Sequence, residues 1–330
     1  MNRKSPFVVA LALAAGPFLV FACGEENPQP TAPTASVSAM PTPTPTSTET
    51  AMPTASETAS EAPVAPKPPP PTVEDMTPSP DPKPMPAAHI MAPANDSSVG
   101  DAAKAKDYVI KFDVKNWKLG ENGQHLHLIL DNGPYKKITD AKAPVKLGEL
   151  VGEGKDIAEG QHFLILFPSR GTHETVKGKG AASFVTFWVG KKDKTKMVYD
   201  GKKPLLIYSR PKGDNWGEMG KNVMIDFYLH DTTLSDGSKV HYSISGGALD
   251  QPVVGDFTQW APKIVHGLQK GEYDVTIQLV DKDGKPSDLA WNTTTRHINV
   301  DPDHADDPKM GMPPMTMGSS AAPATSASGK

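Results

Sequence analysis

Cysteine is almost absent from this sequence. Cys23 is the single one in 330 residues, so no intramolecular disulfide braces the chain. Aromatic side chains are missing over a long stretch too, with no Phe, Trp or Tyr between Phe21 and Tyr108. A segment without large apolar groups cannot offset the ~1–2 kcal/mol of backbone entropy that each ordered residue costs, which excludes that region as a folded core. A membrane-length apolar run is lacking as well: Phe7 to Ala22 falls short of the ~20 residues that a spanning helix needs. Nor does one sign of charge dominate. The formal net charge is −4 with lysines dispersed, so no nucleic-acid partner is expected. The local basic run "GKKDKTKM", at 190–197, reads as a solvated connection.

Catalytic signatures are missing in the same way. A hydrolase elbow needs GxSxG between a strand and a helix, but "HYSISGGA" lacks the first glycine and no helix follows it. A phosphate loop needs GxxxxGK followed by Ser or Thr. "GELVGEGKD" has the wrong spacing and ends in Asp156. In "DKDGKPSD", at 281–288, the glycine comes too early for a calcium loop and no glutamate closes the ring, so it reads as a hairpin turn. The expectation is a protein that is not an enzyme and has no catalytic residues.

What is present begins with a targeting pattern. Arg3 and Lys4 precede the apolar run, which has signal-peptide proportions and closes on "VFAC" at Val20 to Cys23. This resembles the lipobox of bacterial lipoproteins, with small Ala22 before the cysteine and Phe21 bulkier than usual at its place. The expectation is a lipoprotein signal peptide over 1–22 and lipidation of Cys23, since two acyl chains suffice for stable anchoring. Gly24 and Glu25 follow, with no Asp just after the cysteine. By resemblance to Gram-negative lipoproteins, that implies a bacterial cell envelope protein, lipid-anchored in the outer membrane.

Residues 23–87 are expected to be a disordered Pro/Thr/Ser-rich linker. The stretch from Pro28 to Pro86 holds 18 of the chain's 34 prolines, and segments such as "PTPTPTSTET" and "KPPPPTVED" favour polyproline II. A second disordered segment, a Met-containing tail, is expected over 302–330.

Between these ends lie all five tryptophans and a repeat. "YVIKFDVKNWKLGENGQHLHLIL" (108–130) aligns with "NVMIDFYLHDTTLSDGSKVHYSI" (222–244), placing Phe112 on Phe227 and His127 on His241. "IAEGQHFLILF" (157–167) then meets "LQKGEYDVTIQ" (268–278), and "SFVTFWVG" (183–190) meets "TTRHINVD" (294–301). Runs such as "HLHLIL", "HFLILF", "SFVTFWV", "VMIDFYL" and "YDVTIQLV" alternate by two and are rich in β-branched and aromatic residues. Turn residues separate them, and no window carries convincing helical periodicity; "KAPVKLGELVGEGKDIAEG" has room for one turn. The reading is all-β, with two tandem Ig-like β-sandwich domains at 88–192 and 198–301. "KPLLIYSRPKGD", "DFYLHDTTLSDGSKVHYSI", "TQWAPKIVHGL" and "KGEYDVTIQLVDKDGK" resemble segments of bacterial lipoproteins with Ig-like or fibronectin-like modules, myxobacteria being one source. The resemblance implies Ig-like domains and an envelope location, and brings no catalytic residues.

The remaining candidates are histidines and methionines. In "HLHLIL" the leucines claim the core, so His125 and His127 are expected to point outward or towards a rim. If the neighbouring strand brings His162 alongside, three imidazoles suit Zn or Cu, with Asp131 or His173 as a further ligand. His125 falls on Lys239 and His162 on Tyr273 in the second copy, so such a site belongs to the first module alone. The competing reading has these imidazoles making cross-strand hydrogen bonds and packing on aromatic neighbours. Met310, Met312, Met315 and Met317 in the tail are soft donors for Cu(I). The leading expectation is a non-enzymatic, lipid-anchored envelope protein that displays two modules for binding or adhesion. Its partners would be the membrane and an envelope protein or other envelope component, with no cofactor. The alternative is an envelope Cu or Zn protein.

Overall fold

Period-two alternation produces strands almost throughout. The computed structural model describes residues 67–152 and 155–306, which fall in one compact unit. Strand β1 is Thr72–Asp75. The first sandwich follows with β2 (Ala87–Ala92), β3 (Ser97–Ser98), β4 (Val109–Lys115), β5 (His125–Leu130), β6 (Lys136–Ile138), β7 (Val145–Lys146), β8 (Gly160–Ser169) and β9 (Ser183–Val189). The second contains β10 (Leu205–Arg210), β11 (Gly213–Trp216), β12 (Asn222–His230), β13 (Lys239–Gly246), β14 (Val253–Phe257), β15 (Lys263–His266), β16 (Gly271–Val280) and β17 (Thr293–Asp301). Among the described residues the α-helices are single turns, Ala102–Ala105 and Glu218–Lys221, and no helix is long and apolar enough to cross a membrane.

The repeat is repeated in topology. One sheet of the first sandwich runs β3-β9-β8-β5-β6, and its counterpart runs β11-β17-β16-β13-β14. The facing sheets run β2-β4-β7 and β10-β12-β15. In both copies the first strand of the larger sheet pairs in parallel with the last strand of the module. Each sandwich closes over its own core: Leu126, Leu128, Leu164, Leu166 and Phe187 in one, Phe227, Val240, Ile244, Val275 and Ile277 in the other.

Strand β1 corrects the expected linker. Residues 72–75 pair antiparallel with β15, Thr72 opposite His266 and Asp75 opposite Lys263, on the outer edge of the second sandwich. Only Val73 packs against that core. An unpaired edge supplies backbone donors and acceptors whatever the side chains of the incoming strand are, so composition gave no sign of it.

The second correction concerns the outer face of the first large sheet, which is not open to solvent. Ile129, Phe163, Ile165 and Phe167 form a third cluster with Tyr199, Leu205, Ile207, Tyr228 and Leu289. The β5–β8 face of one sandwich thus packs on the β10–β12 face of the other. This explains why "FLILF" is apolar without interruption, since β8 is buried on both sides.

Polar groups pin this seam. Arg296 of β17 is buried and donates from Nη1 to the carbonyls of Ser209 (2.9 Å) and Pro211, and from Nη2 to those of Asn132, Gly133 and Tyr208 (2.7 Å). Asn132 donates to the carbonyls of Leu206 and Trp291 and accepts from the Tyr208 amide. Asp226 of β12, with no exposed surface, accepts from the Thr175 amide at 2.8 Å and from Lys177 Nζ at 2.6 Å.

Candidate functional site

Within this seam the alternation of β5 puts His125 and His127 on the covered face, beside Ile129. Strand β8 runs antiparallel beside them, with Ser169 opposite His125 and Phe167 opposite His127. The chain then doubles back: Ser169 bridges Thr175, the Arg170 amide donates to the Glu174 carbonyl, and the His173 amide donates to the Arg170 carbonyl. This turn holds His173 at φ +67°, a left-handed conformation in which histidine is enriched among non-glycine residues. It sets the His173 ring edge-on to His125, with centroids 4.7 Å apart.

Three imidazoles therefore converge, and none has exposed surface. Each offers one nitrogen, and these nitrogens lie within 4.8 Å of one another. His125 Nε2 and His127 Nε2 are 3.0 Å apart. His125 Nδ1 faces the Gly123 carbonyl at 2.7 Å, and His127 Nδ1 faces Ser209 Oγ, across the seam, at 3.1 Å. Tyr135 stacks on His127 at 3.6 Å between centroids, and its hydroxyl lies 3.4 Å from His173 Nδ1. His173 Nε2 finds no hydrogen-bond partner among the described residues.

The electrostatics keep these rings neutral. Burial, with Arg210, Lys212 and Lys137 nearby, lowers His125 to about 4. Burial first, then the other histidines and Arg210, hold His127 well below the ordinary imidazole value. Burial and Arg210 likewise depress His173. Lys212 Nζ donates to the Tyr135 carbonyl at 2.7 Å and sits over its ring; burial and Arg210 lower it to about 8. The group of three contains no carboxylate.

His162 does not join them. It lies on the Leu164–Leu166 face of β8, the opposite one, and towards the other end of the strand. There its Nδ1 bonds Asp131, its Nε2 bonds the Ala158 carbonyl at 2.8 Å, and its ring packs on Phe187. In the second sandwich the aligned residue, Tyr273, bonds the aligned carbonyl of Gln269, also at 2.8 Å. That is the tyrosine corner of Ig-like sandwiches, and His162 performs it in the first copy. Asp131 is thereby occupied too, while its Oδ1 accepts from the Phe163 amide. Burial opposes protonation of His162, but the Asp131 bond and charge outweigh it and raise its pKa.

Of the sequence candidates, His125, His127 and His173 meet, and His162 and Asp131 pair elsewhere. Cys23 and Met310, Met312, Met315 and Met317 lie outside the described residues. Tyr135, Ser209, Arg210 and Lys212 were not anticipated. No local signal marks them, because three of the four reach the site only through packing of the second sandwich.

No protein-family model matches the chain, and no curated protein matches it. Among solved structures, the fibronectin(III)-like modules of Clostridium thermocellum CbhA align at 16% identity over 67% of this chain and 98% of theirs, with a TM-score of 0.24. A Bacteroides ovatus protein of a mixed-linkage glucan utilization locus aligns at 15% over 65% of this chain and 47% of its own, at 0.18. Invasin, a bacterial integrin-binding protein, aligns at 15% over 66% and 40%, at 0.19. At these scores the likenesses carry nothing about ligand or activity, and the tandem sandwich stands on its own strand pairing.

Proposed function

We propose that this chain is a non-enzymatic, lipid-anchored protein of the bacterial cell envelope, held at the outer membrane through Cys23. It presents two sandwiches as one body to a partner in the envelope or outside it. The supporting order of segments is a lipobox-like cysteine, a proline-rich spacer and then strands. The observation that carries the display reading is the seam. Its apolar cluster and the Arg296, Asn132 and Asp226 bonds join the sandwiches face to face, so that the two modules offer one fixed surface. These buried polar groups are engaged in bonds across the seam, as expected of structural residues.

The test is fractionation of cells. The wild-type chain is expected with the outer membrane, and the Cys23→Ser chain in the soluble fraction. Unchanged membrane retention of Cys23→Ser overturns the anchor.

A further inference from the structure

The histidine cluster is more than filling for the seam. His125 Nδ1 faces a carbonyl, which only accepts, so that nitrogen carries the proton and Nε2 keeps its lone pair. His127 Nε2 therefore carries the hydrogen between the two rings, and its Nδ1 accepts from the Ser209 hydroxyl. His173 Nε2 is left as a buried polar atom with no partner among the described residues, an arrangement that costs stability unless something binds there. The outer nitrogens of His125 and His127 are already held by a carbonyl and a hydroxyl. That is the support metal-bound imidazoles use to fix their orientation.

We propose that His125, His127 and His173 form a three-coordinate site for monovalent copper, Cu(I), closed over by the second sandwich. Neutral imidazole suits zinc and copper alike, so charge and coordination number decide between them. The donor group brings no carboxylate, and Arg210 and Lys212 face it from β10 and the turn after it. The cost of burying an ion rises with the square of its charge, and its repulsion from these two cations rises with that charge. A monovalent ion is favoured on both counts. Zinc also takes a fourth donor, a water where the protein supplies three, and none of the three rings has exposed surface to admit one.

With the His173 proton on Nδ1, towards the Tyr135 hydroxyl, and Nε2 free to ligate, loading needs one proton rearrangement, on His127, and no redox step. His127 gives up the proton on Nε2 to free that lone pair and takes one up on Nδ1. Nδ1 then donates to Ser209 Oγ, so the net proton count is unchanged. Ser209 belongs to the second sandwich, so ion affinity depends on the seam being closed.

The test uses the full chain in detergent, titrated anaerobically with Cu(I) against a coloured Cu(I) chelator, with X-ray absorption of the loaded protein. One ion per chain is expected, with imidazole nitrogen scatterers and no sulfur. Ser209→Ala keeps all three rings and is expected to weaken binding about 10- to 100-fold. His173→Asn, a residue that tolerates the left-handed backbone, is expected to weaken it about 100-fold or more. His162→Gln is expected to leave it unchanged, and circular dichroism checks that each variant is folded. If His173→Asn fails to fold, Ser209→Ala carries the test. Four results overturn the proposal: no ion bound by the wild-type chain, sulfur scatterers that place the ion on the tail methionines, zinc held more tightly than Cu(I), or affinity unmoved by Ser209→Ala.

Discussion

Strands β5 and β13 occupy the same place in the two copies, yet they meet different surroundings. All six residues of β5 are buried, whereas β13 alternates between buried and partly exposed positions along most of its length. The register is shared: His127 lies opposite Phe167, and His241 lies opposite the aligned Gln278. His127 is sealed against Ser209 and Tyr135, while the half-exposed His241 bonds Asp256 at 2.8 Å. The same contrast appears where each strand ends. Asn132, at φ +61°, clasps the second sandwich, while the aligned Gly246 meets a similar backbone demand at φ +102° without a side chain. One sheet face became a buried polar site because another domain covers it, and its sister face stayed an ordinary solvent face.

The sharpest way to break this comparison is to truncate matched residues. Phe167→Ala empties a fully buried position in the seam and is expected to cost about 3–5 kcal/mol in urea unfolding. Gln278→Ala, at the aligned position, is expected to stay within about 0.5 kcal/mol. Equal costs would mean that the seam does not distinguish the copies.

A smaller effect separates the two corners by pH. His162 has a raised pKa in the folded chain, so the folded state binds more protons than the unfolded one above the ordinary value of 6.5. Its contribution is fully present below about 6.5 and is lost as pH rises through the raised value. Asp131 is the charged group facing it, with Phe187 and the Ala158 carbonyl on its other sides. Over pH 5.5 to 8.5, urea unfolding is expected to show the wild-type chain losing stability relative to His162→Tyr, which copies the second corner; the opposite trend from keeping His125, His127 and His173 neutral is common to both chains and cancels in the difference. Identical pH dependence in the two chains would sink this assignment.

The smallest effect concerns the sister histidine. His241→Gln removes an exposed pairing with Asp256 and is expected to change stability by less than about 0.5 kcal/mol at either end of that pH range.

Much of the fold was legible because amphipathic alternation is a local property. "HLHLIL", "SFVTFWV" and "YDVTIQLV" announce strands, and the narrow range of offsets between copies, 111 to 115 residues, shows which strand corresponds to which. The single turn foreseen in "KAPVKLGELVGEGKDIAEG" is the 3-10 turn Leu147–Leu150. Strand β1 was illegible because "TVED" reports nothing about the open edge that recruits it. Grouping His162 with His125 and His127 went wrong on parity. The observed register puts the odd-numbered residues of β8 on the histidine face, and His162 has an even number. His173 had no periodic signal, since it sits in a turn whose return path depends on the Ser169–Thr175 bridge.

The sequence by itself determined the strands, their division into two copies and the absence of any bracing disulfide, since each follows from side-chain type and short-range order. Only the tertiary structure decided which sheet face is covered, and with it whether two histidines meet water or a third histidine. His127 and Ser209 stand 82 positions apart, a separation that period-two alternation cannot report. The contact between them exists because two apolar sheet faces pack together, carrying their few polar residues into the dry seam.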